Sequence, residues 1–101
     1  MGKIRRLVLD VLKPHQPTII EWAKQLSDLE GVDAVNLNVY EIDQKVENVK
    51  VTIQGRDISY SRILEVIREN GGSLHSVDEV VGGALIIEES ITLQDYRRTG
   101  E

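Results

Sequence analysis

The chain has 101 residues, a formal net charge of −5 from 12 Lys and Arg against 17 Asp and Glu, and no cysteine. A chain of this size builds one domain around one hydrophobic core, and 41% apolar residues argue against intrinsic disorder. The acidic balance disfavours a nucleic-acid partner, because such proteins neutralise phosphates with a cationic surface. The absence of cysteine excludes disulfides, thiol catalysis and thiolate zinc sites. No apolar run approaches the roughly 20 residues that span a bilayer, so we expect a cytoplasmic protein with no membrane partner.

The first half of the chain predicts a strand, a helix and a second strand. Branched apolar residues over 4–12 alternate with the period of a strand. Apolar residues then recur at helical spacing over 19–29, and Pro17 suits the first helical position because its missing N–H costs nothing there. Gly31 is expected to end the helix in a left-handed conformation. Alternation returns over 33–42, which predicts the second strand.

The second half of the chain repeats this pattern after a hairpin. Polar residues at 43–45 indicate a turn, and alternation over 47–54 predicts the returning strand. Ser59 is placed to cap the second helix. The Asn-Gly-Gly sequence at 70–72 ends that helix, and a fourth strand is predicted over 73–81.

The order strand, helix, strand, strand, helix, strand predicts an α+β fold of the ferredoxin-like βαββαβ type. Two right-handed βαβ units interleave into one antiparallel sheet, with both helices on one face and strands in the order fourth, first, third, second. A parallel α/β sheet is the competing topology. The hairpin near Asp43 disfavours it, because a short turn joins antiparallel strands.

An apolar run at 84–91 follows Gly82 and Gly83 and exceeds what this fold requires. It is interpreted as a fifth strand that turns back on the fourth, as an arm that contacts a neighbouring subunit, or as a short helix. The first two alternatives would both protect an edge strand. We therefore expect a ferredoxin-like domain over 1–92, with a C-terminal extension from about residue 84. Residues 93–101 are polar and are expected to form a frayed tail.

Asp10 is the most informative polar residue, because it lies in the middle of an apolar strand that becomes central in the sheet. A carboxylate there must be paired, hydrated or metal-bound. The fourth strand brings Asp78 and Glu79 alongside, and these three carboxylates could hold Ca²⁺ or Mg²⁺. Strict alternation puts one acid on each face, so the pattern does not decide which of the two shares the face of Asp10. The alternative is a set of salt bridges from Asp10 to Arg6, Lys50 or a neighbouring subunit.

Other motifs for chemistry are weak. His15, in a loop flanked by prolines, could be a metal ligand or a general base, or it could simply cap a helix or be solvated. The sequence has no calcium-binding EF-hand loop and no glycine-rich phosphate loop. The serines at 59, 61 and 73 lack an evident histidine–acid relay. No catalytic residue is assigned, and we do not expect an enzyme.

Three strings carry a resemblance to a known family: LVLDVLKPH at 7–15, ENVKVTIQG at 47–55 and GGSLHSVDEVV at 71–81. In this combination and order the chain resembles the small archaeal proteins of the domain-of-unknown-function 211 family, over residues 3–92. The resemblance implies a ferredoxin-like fold, homo-oligomers in the form of closed rings, and bound divalent cations such as calcium. It implies no established activity and supplies no catalytic residues.

Together these observations favour a homo-oligomeric binding or regulatory module. It would hold a divalent cation or a small effector at the sheet or at a subunit interface. One reason for this hypothesis is the outward row of the sheet, which carries Val8, Leu12, Tyr40 and Ile42. This row is apolar enough that we expect another element or subunit to cover it. The second hypothesis is a structural assembly protein whose acids make only inter-subunit ion pairs. A metal-assisted enzyme is the third.

Overall fold

The structure is a computed structural model that describes residues 2–88. In chain order its elements are β1 (Ile4–Pro14), α1 (Ile19–Ser27), β2 (Val32–Ile42), β3 (Val46–Gly55), α2 (Tyr60–Glu69) and β4 (Ser73–Gly82). None of the helices within residues 2–88 is long and apolar enough to cross a membrane.

The four strands form one sheet in the order β2-β3-β1-β4, and every neighbouring pair is antiparallel. A short hairpin joins β2 to β3 and is closed by the Asp43 N–H, which donates to the Val46 carbonyl at 2.9 Å. The predicted ferredoxin-like fold and its strand order are thus confirmed. β1 and β3 lie in the centre, and within residues 2–88 no strand pairs with the outer edges of β2 and β4, which are called the free edges below.

The core lies between the helices and one face of the sheet. It combines inward residues of β1 and β3 with the apolar faces of both helices, namely Leu7, Leu9, Val11, Trp22, Leu26, Val49, Val51, Ile53, Ile58, Ile63 and Ile67. The helices have 9 and 10 residues and span about 15 Å, whereas an 11-residue strand spans about 36 Å. The sheet therefore extends beyond its helical cover, and Val77 and Val80 on β4 stay exposed.

The two helices begin differently. Ser59 caps α2, and its Oγ accepts from the Arg62 backbone N–H at 3.4 Å, as predicted. The expectation that Pro17 is the first residue of α1 is wrong: Thr18 occupies the cap position and the helix begins at Ile19. Pro17 follows a cis peptide bond from Gln16 and belongs to the preceding loop.

Gly31 ends the α1 region with φ +87°, the left-handed conformation predicted for it. Its carbonyl accepts from the backbone N–H groups of Arg56 and Asp57 at 3.0 and 3.3 Å. A β-carbon at this position would collide with the Asp57 carbonyl. Glycine is therefore required both by the turn and by the close approach of the loop before α2.

Three irregularities interrupt the pairing of β1 with β4: one leaves Arg5 of β1 without a register partner, and the other two each leave an extra residue on β4. The pairs Val8–Glu79 and Leu9–Val77 leave Asp78 as an extra residue, and the pairs Asp10–Ser76 and Val11–Leu74 leave His75 as another. Each extra residue is a β-bulge, which breaks the strict alternation of side chains. The face that a β4 residue occupies therefore depends on its position relative to these bulges.

Residues 83–88, called the arm below, follow β4 and turn back over the face of the sheet opposite the helices. The turn occurs at Gly83, where φ is +118°. Neither a strand nor a helix forms within 83–88. The rest of the predicted strand, helix or inter-subunit arm, at 89–91, and the predicted frayed tail at 93–101 lie outside the described residues. The face that carries the arm is called the open face.

Candidate functional site

Four polar side chains from three strands form a row across the open face. The Tyr40 hydroxyl, on β2, donates to Asp10 Oδ1 on β1 at 2.5 Å. Ser76, the register partner of Asp10 on β4, donates from its hydroxyl to Asp78 Oδ1 at 2.7 Å. These residues, called the open-face row, bring two carboxylates and two hydroxyls together on the face that the helices leave uncovered.

The pKa of Tyr40 reflects the negative charge of this row. Its pKa is raised to about 12, first by the hydrogen bond to Asp10, then by partial desolvation and by the nearby charges of Asp10, Glu41 and Asp78. The phenol therefore stays protonated, and it acts as a donor to a carboxylate. Such a hydroxyl could coordinate a cation alongside the carboxylates or hold Asp10 in a fixed orientation.

The bulges of β4 place both Asp78 and Glu79 on the open face. Asp78 contacts Ser76, which pairs with Asp10. Glu79 pairs with Val8 in the register, and its carboxylate accepts from Arg6 Nη1 at 3.4 Å. The sequence pattern left this choice open because it assumed strict alternation. All three predicted ligands lie on one face, although Glu79 is already engaged by Arg6.

A cavity of about 750 Å³ lies beside this row, between the sheet and the arm. Its lining combines carboxylates, one ammonium group and apolar side chains, contributed by Val8, Lys50, Asp78, Glu79, Val80, Val81, Gly82, Ile87 and Glu88. Val8 and Val81 are almost fully buried, whereas Ile87 of the arm is exposed. The cavity therefore offers an apolar floor next to an acidic wall.

The salt bridges proposed for Asp10 are not formed within residues 2–88. Arg6 instead contacts Glu79 on β4 and Glu88 on the arm. Lys50 is the register partner of Asp10 on β3, yet the two groups make no ion pair in the described part of the chain. The same residues contain no group of three or more His, Asp or Glu side chains close enough to hold a metal ion by themselves.

A second polar group, called the sheet-end cluster, lies where β1 meets β3 on the helix side. Lys13 is fully buried, and its Nζ lies 3.2 Å from Glu47 Oε1 and donates to the carbonyls of Pro14 at 2.6 Å and His15 at 3.4 Å. The ammonium also lies 5.8 Å from the centre of the Trp22 ring. Every ammonium hydrogen thus has an acceptor, as burial of a charge requires.

His15 completes the sheet-end cluster and faces an acceptor with each ring nitrogen. Nδ1 lies 2.9 Å from Glu47 Oε2, and Nε2 lies 2.9 Å from the Gln44 carbonyl oxygen. Only the doubly protonated ring can donate to both oxygens. Consistently, the hydrogen bond to Glu47 raises the pKa of His15, and the same bond lowers the pKa of Glu47. Neither nitrogen is free to bind a metal or to act as a base in this arrangement.

Sequence reasoning overlooked Lys13 and Glu47. The available signal was the alternation of β1: Leu7, Leu9 and Val11 point inward, so the side chain at 13 points inward as well. The strand predicted over 4–12 stops one residue before Lys13. The polar start of β3 at Glu47 was the missing partner.

Two comparisons with known proteins identify relatives of this chain. Residues 5–96 match the profile of DUF211, a family described as "Uncharacterized ArCR". The "Uncharacterized protein MJ0319" of Methanocaldococcus jannaschii is 54% identical over 95 residues, which is 94% of this chain and 98% of that protein. The aligned length is great enough to include all six helices and strands and both polar regions.

Proposed function

The chain belongs to the DUF211 family, and we propose that it is a self-associating binding module whose open face holds a divalent cation. The family assignment confirms the resemblance inferred from the sequence. The observation that carries the proposal is the open-face row. Asp10 and Asp78 come from different strands, share one face, and bring the oxygen ligands that Ca²⁺ and Mg²⁺ prefer.

The oxygen atoms of the open-face row do not complete the coordination shell of a calcium ion, so a further ligand is needed. When each carboxylate binds through one oxygen, Asp10 and Asp78 with the hydroxyls of Tyr40 and Ser76 supply about four oxygens, fewer than the six to eight that Ca²⁺ takes. Glu79 can join when it leaves Arg6, and water or a neighbouring subunit completes the shell. A cation would thereby link the sheet to whatever covers its open face, and this couples binding to assembly.

Self-association is supported by the free edges of the sheet. β2 presents Tyr40 and Ile42, and β4 presents Val77 and Val80, all at least 42% exposed. Contact of the β2 edge of one copy with the β4 edge of the next is heterologous, and repetition closes a ring when the rotation fits. Pairing would also satisfy the unbonded backbone groups of both edges.

The test is native mass spectrometry of the protein with Ca²⁺, with Mg²⁺ and with a chelator. We expect a single oligomer whose mass includes bound cation, and loss of the cation and dissociation on chelation. Asp10→Asn combined with Asp78→Asn should remove the cation. Asp33→Asn, which changes an exposed carboxylate at the other end of β2, should leave it in place.

A ligand-free structural assembly protein is the second candidate. Its support is Arg6, which already neutralises Glu79 and shows that acids of the open face can serve in ion pairs. An oligomer that carries no cation and withstands the chelator would favour this candidate. A monomer with no bound mass would contradict both.

A further inference from the structure

The base of the arm is fixed to the sheet by backbone and arginine contacts. The Gly83 N–H donates to the Lys3 carbonyl at 2.8 Å. Arg5 donates from Nη1 to the Ala84 carbonyl at 2.5 Å and from Nε to the Gly55 carbonyl at 2.9 Å. The chain therefore leaves β4 in one defined direction, over the cavity.

Among residues 2–88, Arg6 of β1 is the sheet residue that contacts the side chain of Glu88, at the end of the arm as defined above. Arg6 donates from Nη1 and Nη2 to the two carboxylate oxygens of Glu88 at 3.1 and 2.8 Å. Arg6 itself is held in place, because its Nε donates to Gln54 Oε1 at 2.9 Å and its side chain is only 13% exposed. Glu88 is 77% exposed, so the carboxylate is the movable half of the pair.

Apolar packing holds residues 83–88 only in part. Leu85 and Ile87 are 76% and 71% exposed, although Ile87 lines the cavity, and Ile86 is half-buried. An ion pair with an exposed partner is weak and is screened by salt. Within residues 83–88 the closed arrangement is therefore defined in geometry but lightly held, with Gly82 and Gly83 at one end and the Arg6–Glu88 pair at the other.

We propose that the arm is a strap that gates the open-face cavity, with the Arg6–Glu88 ion pair as its latch and Gly83 as its hinge. Release of Glu88 lifts Ile87 from the cavity and opens the route to Val8 and to the acids of β4. Arg6 also contacts Glu79, so opening the strap and freeing that carboxylate involve the same guanidinium. The inference rests on the proposed function only in assigning the ligand to this cavity.

The test uses the absence of cysteine from the chain. A single Val8→Cys change puts a thiol on the cavity floor, where Val8 is 7% exposed. The rate of reaction with a thiol reagent then measures how often the strap opens. We expect Glu88→Gln to raise this rate several-fold. Added salt should raise the rate in the protein that keeps Glu88 and have little effect once Glu88→Gln is present.

Two controls separate gating from general loosening. Val77→Cys reports on β4 away from the cavity, and its reaction rate should not respond to Glu88→Gln. Glu65→Gln changes another exposed carboxylate paired with an arginine, Arg62, and should leave the Val8→Cys rate unchanged. If Val8→Cys does not fold, Val81→Cys places a buried thiol in the same cavity lining, because Val81 is 6% exposed.

Equal Val8→Cys rates with and without Glu88→Gln would overturn the strap. The experiment needs no ligand, so it is independent of the cation measurement. If the protein binds cation and assembles but its Val8→Cys rate does not change with Glu88→Gln, the strap is refuted and the proposed function is retained. If Glu88→Gln raises the Val8→Cys rate in a protein that binds no cation, the strap is retained and the proposed function is refuted.

Discussion

The sheet carries two polar regions that differ in how their charges are satisfied. In the sheet-end cluster, Glu47 lies between Lys13 and His15, and each hydrogen of the Lys13 ammonium and each ring nitrogen of His15 faces an acceptor. In the open-face row, Asp10 and Asp78 each accept one hydroxyl and have no ion pair within residues 2–88. A region whose charges are mutually neutralised stabilises the fold, whereas carboxylates without a cation are available to a ligand.

Removal of Lys13 should give the largest effect on stability. Lys13→Met keeps the length of the side chain but leaves Glu47 with His15 alone and two carbonyls without a donor. We expect a loss of about 2–3 kcal/mol in the free energy of unfolding, measured by urea denaturation. Lys50→Met, on the exposed face of β3, is the matched control and should have a much smaller effect. Equal losses of unfolding free energy in the two variants would contradict the proposed difference between the sheet-end cluster and the open face.

The stability of the sheet-end cluster should depend on pH in a definite window. The pKa of His15 is raised above its usual 6.5, so its contribution is complete below pH 6.5 and is lost as pH rises through the folded value. The pKa of Glu47 is lowered from 4.5, so its contribution is complete above pH 4.5 and is lost as pH falls through the folded value. The cluster should therefore stabilise the fold most between these limits.

The check is the melting temperature across pH for the wild-type protein and for His15→Gln. The difference between the two proteins should shrink on the alkaline side of the window. Glu47 is the charged group that contacts the His15 ring, and backbone hydrogen bonds at Gln44 and Asp43 add to the effect. A difference that stays constant from the window to pH values well above the folded pKa of His15 would show that the imidazolium is not the bound form.

Asp10→Asn should give the smallest effect on stability, within about 0.5 kcal/mol, because the open-face row is partly exposed. Its clear effect should be on Tyr40, whose pKa should fall from about 12 towards 10.0 when the neighbouring charge is removed. Ultraviolet titration of tyrosinate measures this change, and Tyr40→Phe identifies the signal among the three tyrosines. An unchanged titration in Asp10→Asn would mean that the two groups are not hydrogen-bonded in solution.

The sequence predicted the helices and strands well because each of them depends on a local pattern of residues. The inward row of β1, the cap at Ser59 and the turn at Gly31 depend on residues that are neighbours in the chain. The topology followed from handedness and from the hairpin. These features need no knowledge of which side chains meet across the sheet.

The site was less predictable because it depends on contacts between distant strands. The bulge that puts Asp78 beside Asp10 exists only in the pairing of β4 with β1, and neither strand shows it alone. The contact between Tyr40 and Asp10 passes over β3. Alternation along β1 was enough to predict that the Lys13 side chain points inward. That its charge is buried could not be predicted, because the sequence alone does not place the acceptors that make burial possible, Glu47 and the loop carbonyls, around it.

The bulges of β4 also determine what can be added to the sheet. A regular free edge offers an uninterrupted ladder of N–H and C=O groups to any extended chain, which is the route to indiscriminate aggregation. In β4 the pairing with β1 is broken at His75 and again at Asp78. Bulges bend and twist the strand that carries them, so the outer edge of β4 is not a flat ladder. The irregularity that assembles the acids thus also disfavours indiscriminate pairing at this edge.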